Sequence, residues 1–426
     1  MSQHEVRVAV LGAGTVGSQV IRLLGERAED FAQRSGARLT LVGIGDRKVD
    51  APRPDYIDRS LLTTDLTALA TSADLVVELI GGIEPARTLV LAALNSGASV
   101  VTANKALLAT HGPELFEAAA AADTDLYYEA AVAGAVPVVY ALRESLAGDT
   151  VTRVLGIVNG TTNFILDEMA TKGVGFDEAL ATAQQLGYAE ADPTADVDGL
   201  DAAAKAALLA SLAFHTRVAI SDVSVEGVRA ITAADIAQAA ESGYALKLLA
   251  ICDRLDDGVS VRVRPTLLPL SHPLASVHGV FNAVVVEAEA AGRLMFYGRG
   301  AGGSAAASAV LSDVVAAAAH KAHGGHAPRE SAYAALGVLG PEEVRTALSV
   351  RLKVADEVGV LAGVAGVFAG NGISIESVRQ SPANGDSTIT IVSHVARLGD
   401  LMRTVEELRA SASVHEILSV TAVESD

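Results

Sequence analysis

Along the first third of the chain, short apolar runs alternate with stretches whose apolar residues recur every third or fourth position. Val6 to Leu11 is such a run; GAGTVG follows, then Val16, Val20 and Leu24 at helical spacing. LTLVGIGD, DLVVELIGG, ASVVTANK and LYYEAAVAG repeat the theme, each an apolar run ending in polar or Gly residues, and the helical EPARTLVLAALNSG separates two of them. Strands alternating with helices predict a parallel sheet with helices on its faces, an α/β domain over residues 1–134.

From about residue 135 the pattern changes. Ala-rich helical periodicity dominates 176–187 and 200–214, while VSVRVRPTLLP and NAVVVEAEAAG read as strands of a second sheet, so 135–318 forms an α+β unit. Residues 319–348 open with AHKAHGGHAPRES and read as a connector. Its three histidines raise the thought of a metal site, but a solvated linker is favoured because carboxylates and Cys are lacking nearby. Residues 349–426 make a unit of their own: RLKVAD, ISIESVRQ, STITIVSHV and VHEILSVTAV as strands, with LAGVAGVFAGNG and LMRTVEELRAS as helices. The order βαββαβ predicts a small antiparallel sheet with two helices on one face.

Composition adds bounds. The chain has 426 residues, enough for two or three domains, and half are hydrophobic, mostly Ala, Val and Leu, with no Trp. A net charge of −19 repels polyanions, which excludes nucleic acid as a partner. The single cysteine, Cys252, forms no internal disulfide framework and suits a reducing compartment. The N-terminus carries no secretory pattern and no apolar stretch approaches the roughly 18 residues of a membrane span, so no membrane association is expected and the expected location is the cytoplasm.

Candidate chemistry begins at Gly12, Gly14 and Gly17, a G-x-G-x-x-G set between a strand and a helix. The first glycine permits the tight turn, the second lets a pyrophosphate approach the backbone, and the third lets helix and strand pack closely. With Thr15 and Val16 they form the expected phosphate cradle at a helix N-terminus, the alternative being a plain Gly-rich turn. The second strand runs into Asp46, Arg47 and Lys48. An acid there suits the ribose 2′-OH of NAD; the two cations suit the 2′-phosphate of NADP, or form an ordinary exposed loop. Use of both cofactors, with NADP preferred, is the expectation. Thr102 and Lys105 lie where the ANK turn leaves another strand, the end at which doubly wound sheets bind ligands.

The densest chemistry is AQQLGYAEADPTADVDGLDAAAK, residues 183–205, with Glu190, Asp192, Asp196, Asp198 and Asp201, then Lys205 one helical turn later on the same face. A helix starting near Gly199 brings these acids to its positive end. Such acids repel one another unless cations or N–H groups sit among them; a solvated acidic loop is the bland alternative, and Asp192 then simply caps the turn at Pro193.

The pattern A-x3-G-Y-A-x2-D-P-x2-D-V-x-G-x-D-x3-K, unbroken from Ala183 to Lys205, resembles the signature of the homoserine dehydrogenases. VVELIGG, VTANKALLA, YEAAVAGAVPV, GIVNGTTNFIL and GRGAGGSAAASAVLSD resemble the same family, so the likeness covers essentially the whole chain. It implies an N-terminal Rossmann domain, a catalytic and dimerisation domain, and a return of the chain to the cofactor domain around 298–318 with Gly302 near the nicotinamide, where close helix packing is the alternative. It further implies reversible NAD(P)H-dependent reduction of aspartate 4-semialdehyde to homoserine, Lys205 as proton donor and acceptor, Lys105 as a second active-site lysine, and Glu190, Asp196 and Asp201 as substrate holders. Oxidation then needs neutral lysine and should accelerate with pH. YEAAVAGAVP is similar to the family's monovalent cation site, implying sodium on Glu129 and the carbonyls of Val132, Gly134 and Val136. VADEVGVLAGVAGVFAGNGISIESVRQ resembles an ACT domain, with Val358 where a Pro usually precedes Gly359; it implies a threonine effector near Gly359 and Asn371 in a homodimer or homotetramer. The rival readings are another amino-acid dehydrogenase on this scaffold and a non-catalytic amino-acid sensor.

Overall fold

The computed structural model describes residues 4–383 and 386–424. Six strands, β1 (His4–Leu11), β2 (Ala37–Gly45), β3 (Leu62–Thr63), β4 (Leu75–Glu78), β5 (Ser99–Thr102) and β6 (Leu126–Tyr127), form one parallel sheet in the order β3-β2-β1-β4-β5-β6. The order reverses between β1 and β4, which opens a crevice at the strands' carboxyl ends. Side-chain alternation sorts β1 onto two layers. Val6, Val8 and Val10 pack with Val20 and Leu24 of the helix Thr15–Glu26, while Ala9 and Leu11 pack on the opposite side with Leu89 and Leu107. LYYEAAVAG gives only the two-residue strand β6; past it the chain turns inward around the buried Glu129.

A late helix, Gly303–His323, returns to this sheet and lays Ala307, Val310, Val314 and Ala317 against the face already occupied by Thr15–Glu26. Small side chains let the two helices approach closely: a Cβ on Gly303 would stand 2.9 Å from the Thr15 carbonyl oxygen. The helix also runs past 318, where the connector was expected to begin, with His320, Lys321 and His323 in its negatively polarised last turn. Nor is the connector a solvated linker. Arg329 reaches Asp123, the Ala327 N–H donates to Asp125, and Val338 bridges to Val259. His320 lies 2.6 Å from the Tyr127 hydroxyl, and among the described residues no group of three acids, histidines or cysteines could hold a metal ion.

The remaining strands are β7 (Val151–Ile157), β8 (Ser224–Val225), β9 (Tyr244–Leu255), β10 (Gly258–Pro269), β11 (Phe281–Ala288), β12 (Gly292–Arg299), β13 (Arg345–Ala355), β14 (Ile375–Ala383), β15 (Asp386–Ser393), β16 (Ala396–Arg397) and β17 (Val414–Val423). The C-terminal unit has the expected βαββαβ order, with helices Val360–Gly370 and Leu398–Ala410. It does not keep a sheet to itself. β17 adds to β10 through Thr266–Ala422 and Leu267–Val423, giving one path, β12-β11-β7-β9-β10-β17-β13-β15-β14. A buried ionic joint secures this seam. Arg153 on β7 bonds Asp253 at 2.6 Å and Glu424 at 2.5 and 2.9 Å, and Arg262 takes the other Asp253 oxygen at 2.6 Å. Burial opposes the Asp253 charge, but Arg262 and Arg153 outweigh it and hold the carboxyl below the usual range. No helix among the described residues is long and apolar enough to cross a membrane.

Candidate active site

The glycine loop behaves as three different positions. Gly12 has φ +102°, and a Cβ there would stand 2.7 Å from the Leu79 carbonyl oxygen. A Cβ on Gly17 would meet the Gly12 carbonyl oxygen at 1.9 Å. At Gly14 nothing lies within 4 Å, so the protein itself does not require glycine there. The helix that follows has no side-chain cap, which leaves first-turn N–H groups, from Thr15, Val16 and Gly17, for an anion. Gly302 has φ +111° and begins the Gly303–His323 helix beside it, so two uncapped helix N-termini meet at the crevice. This cradle fits a dinucleotide pyrophosphate.

Asp46 sits at the end of β2, its carboxylate accepting from the Ala13 and Lys48 N–H groups at 3.1 and 2.9 Å. Arg53, missed in the sequence, pairs with it at 2.9 Å and donates to the Ala13 carbonyl at 2.6 Å. Burial works against the Asp46 charge, yet these donors together hold its carboxyl below the usual range. Arg47 and Lys48 are exposed beside it and form no ion pair among the described residues. The Thr102 side chain is buried and donates to Glu78 at 2.6 Å, so its hydroxyl holds the strand ends rather than facing the crevice. Asn104 caps the next helix, Lys105–Ala121, by accepting from Leu107 N–H, which starts that helix on Lys105.

Lys105 and Lys205 meet on one carboxylate. Asp201 Oδ1 takes Lys105 Nζ at 2.7 Å, and Oδ2 takes Lys205 Nζ at 2.6 Å. Both Asp201 and Lys205 belong to the helix Leu200–Phe214, which follows Gly199 in a left-handed conformation (φ +82°). Lys205 also donates to the Val158 carbonyl at 2.7 Å, just past β7. Asn159, the next residue, donates to Asp196 at 2.7 Å and Asp201 at 2.9 Å while its own oxygen caps the helix Gly160–Lys172. Burial pushes Asp201 up, but Lys205 and Lys105 pull it far below the usual range. Burial pushes Lys105 down, and Asp201, Asp196 and Glu190 more than reverse this. Asp196 moves up, chiefly by burial.

The other acids divide by environment. Glu190 is exposed on its loop, within electrostatic reach of Lys105. Asp192 caps the turn at Pro193 by accepting from Thr194 N–H at 3.1 Å, and Asp198 pairs with Arg229. The buried Asp201, the half-buried Asp196, two lysines and an Asn at the mouth of a dinucleotide crevice can hold an amino-acid substrate and exchange a proton with it.

A family model described as "Homoserine dehydrogenase" matches residues 137–315, one described as "Homoserine dehydrogenase, NAD binding domain" matches 12–129, and one described as "ACT domain" matches 348–410. The homoserine dehydrogenase of Corynebacterium glutamicum is 54% identical over 428 residues, covering 99% of this chain and 96% of that protein. The chain belongs to the homoserine dehydrogenases. It is an NAD(P)-dependent oxidoreductase interconverting aspartate semialdehyde and homoserine, which sets aside the sensor and the other-dehydrogenase readings. The structure of a homoserine dehydrogenase from Thiobacillus denitrificans superposes with a TM-score of 0.93 at 38% identity, covering 99% of this chain and 98% of that one. A hyperthermophilic archaeal homoserine dehydrogenase in complex with NADPH gives a TM-score of 0.64 at 28% identity over 74% of this chain and 97% of that one.

One expected pair is not brought together, and the expected cation ligands lie in a buried turn. Gly359 (φ +93°) begins the helix Val360–Gly370 and Asn371 ends it, so they stand at opposite ends within one chain. Asn371 also spends its amide on the Val367 carbonyl and Glu407. Glu129 accepts from the Val139 and Tyr140 N–H groups, and its own N–H donates to the buried Asp313. Val132 and Val136 are fully buried, and Gly134 (φ +66°) lies so close to Gly300 that a Cβ would meet its carbonyl oxygen at 2.3 Å. Asn159, the Val158 carbonyl and Arg53 escaped the sequence reading. Only Asn159 left a signal there: an Asn directly before GTT, a helix N-cap.

Proposed function

We propose that Lys205 is the acid/base group of homoserine dehydrogenation, that Asp201 positions Lys205 and Lys105 together, and that Glu190 and Asp196 hold the substrate ammonium. One observation carries this reading: two donors of the Lys205 ammonium are taken by Asp201 and the Val158 carbonyl, which leaves a third for a substrate oxygen. In reduction the ammonium gives its proton to the developing alkoxide. In oxidation the neutral amine takes the hydroxyl proton, so the rate should rise with pH. The nicotinamide, when bound, supplies or accepts the hydride. Lys205→Ala is expected to lose roughly 10²–10⁴-fold in turnover with cofactor affinity kept; an equal loss of cofactor affinity would refute the role.

NADP and NAD both serve, with NADP preferred, on Arg47 and Lys48. Support comes from the exposure of these two cations beside an Asp46 already engaged by Arg53, and from the archaeal relative's complex with NADPH. Arg47→Ala should raise the KM for NADP and spare NAD. An unchanged preference would remove the idea. A sodium ion is proposed at Glu129 with the carbonyls of Val132, Gly134 and Val136, an all-oxygen set suited to a hard cation. Burial drives Glu129 up to about 7 and the adjoining Asp313 up to about 8, a pair of acids whose charges a cation would stabilise. Sodium chloride should raise the melting temperature more than choline chloride, and Glu129→Gln should abolish the difference; no difference in the parent would rule the ion out.

The C-terminal module is proposed to bind threonine at Gly359 and Asn371 across two copies of a cytoplasmic homodimer or homotetramer, since one chain keeps them apart. A threonine titration without inhibition or thermal shift would refute this.

A further inference from the structure

Away from the lysines, a cavity of about 390 Å³ opens between the C-terminal halves of the helices Lys105–Ala121 and Leu200–Phe214. The connector closes it over with Pro328 and Tyr333. This volume falls in the usual range for small organic ligands, about 300–1,000 Å³. At about 1.5 Å rise per residue, its lining residues Phe116 and His215 stand roughly 15 Å along their helices from Lys105 and Lys205.

Its walls are unlike the rest of the chain. The sequence has no Trp, eight Tyr and eight Phe, yet Phe116, Tyr128 and Tyr333 line this single space together with the His215 imidazole. Tyr333 stacks on His215 with ring centroids 4.9 Å apart while staying 79% exposed, as a ring at the mouth would. The charged rim is already engaged: Arg329 on Asp123 and the Thr124 carbonyl, Glu330 on Arg217, and Arg143 on the Pro328 carbonyl. Among the buried side-chain atoms of the described lining, one polar atom is left. Nδ1 of His215 is buried and has no hydrogen-bond partner, and burial lowers the imidazole's pKa, keeping it neutral at neutral pH. Buried polar atoms in native proteins are normally satisfied, so an orphan on a residue that lines a cavity points to a missing partner.

We propose that this cavity binds a small neutral aromatic molecule bearing one hydroxyl, its ring among Phe116, Tyr128 and Tyr333 and its hydroxyl on His215 Nδ1. A hydroxyl both donates and accepts, so it satisfies either imidazole tautomer. The two helices forming the walls also pack on each other and present Lys105, Asp201 and Lys205 at their far ends. A ligand that touches both helices ties the cavity wall to the lysines through that packing, so its binding changes turnover.

The test is a calorimetric titration of the full-length protein with p-cresol, run beside homoserine-dependent cofactor reduction. Expected are saturable one-to-one binding and altered turnover at saturation. His215→Gly, tolerated by a φ of +52°, should weaken binding about tenfold or more, and Ala147→Trp should block it by filling the exposed mouth with basal turnover kept. No saturable binding to the parent, or equal affinity in all three proteins, would overturn the site. Binding that leaves turnover untouched would overturn the coupling.

Discussion

Replacing Gly14 and Gly17 separately by Ala should split cofactor binding from folding. Gly14 has φ −76° and ψ −158°, an extended conformation open to Ala, and no protein atom lies within 4 Å of the added Cβ. Alanine there narrows the unfolded ensemble, a gain of about 0.4–1 kcal/mol. The methyl, however, projects into the space the cradle offers to a pyrophosphate, so the Kd for reduced cofactor should rise at least about tenfold, roughly 1.4 kcal/mol. At Gly17 the new Cβ would sit 1.9 Å from the Gly12 carbonyl oxygen and 3.0 Å from its carbon, both backbone atoms. The helix Thr15–Glu26 must then back away from β1. Overpacking of this kind costs about 1–3 kcal/mol or more, offset in part by the roughly 1 kcal/mol that Ala gains over Gly inside a helix. The assays are thermal unfolding without cofactor and fluorescence titration with reduced cofactor. A Gly14→Ala protein that melts early, or that binds cofactor as the parent does, would refute the reasoning.

Asp201→Asn keeps shape but removes the carboxylate charge that both ammonium groups share; losing that counter-charge favours the neutral amine, so the alkaline rise of homoserine oxidation should move to lower pH with turnover down about 10²-fold or more. An unmoved pH profile of kcat/KM would exclude the bridging role. Asp253 is depressed by Arg262 and Arg153, so its contribution to stability is complete above the ordinary carboxylate value and is lost as pH falls through the depressed one. Asp253→Asn should therefore cost about 3–5 kcal/mol at neutral pH and flatten the acid limb of a chemical-denaturation series; a parallel limb would disprove the assignment. Arg53→Leu frees Asp46 from its cation and should weaken both cofactors without altering their ratio, read from the two KM values; a changed ratio would make Arg53 a selectivity residue instead.

How much was legible follows from range. The parallel sheet, the glycine loop and the βαββαβ tail are written in local periodicity and in glycines whose backbone needs are local. Lys205 stood out because i, i+4 spacing fixes it with Asp201 on one helix face, and Lys105 because the ANK turn lies at a strand's carboxyl end. The pairing of Lys105 with Asp201 was not legible, since it joins residues from two domains. The same holds for Asn159 reaching Asp196, Arg53 reaching Asp46, and the connector folding against Asp123 and Asp125.

By itself the sequence determined which segments become strands and helices and where the phosphate cradle and acid-rich helix start lie, because those depend on neighbours within a few residues. Tertiary structure alone decided that one carboxylate serves two lysines, that Glu424 locks the C-terminal sheet to β7 through Arg153, and that Gly359 and Asn371 stand apart. Those outcomes rest on contacts between chain segments far apart in sequence, and only packing brings such segments within hydrogen-bonding distance.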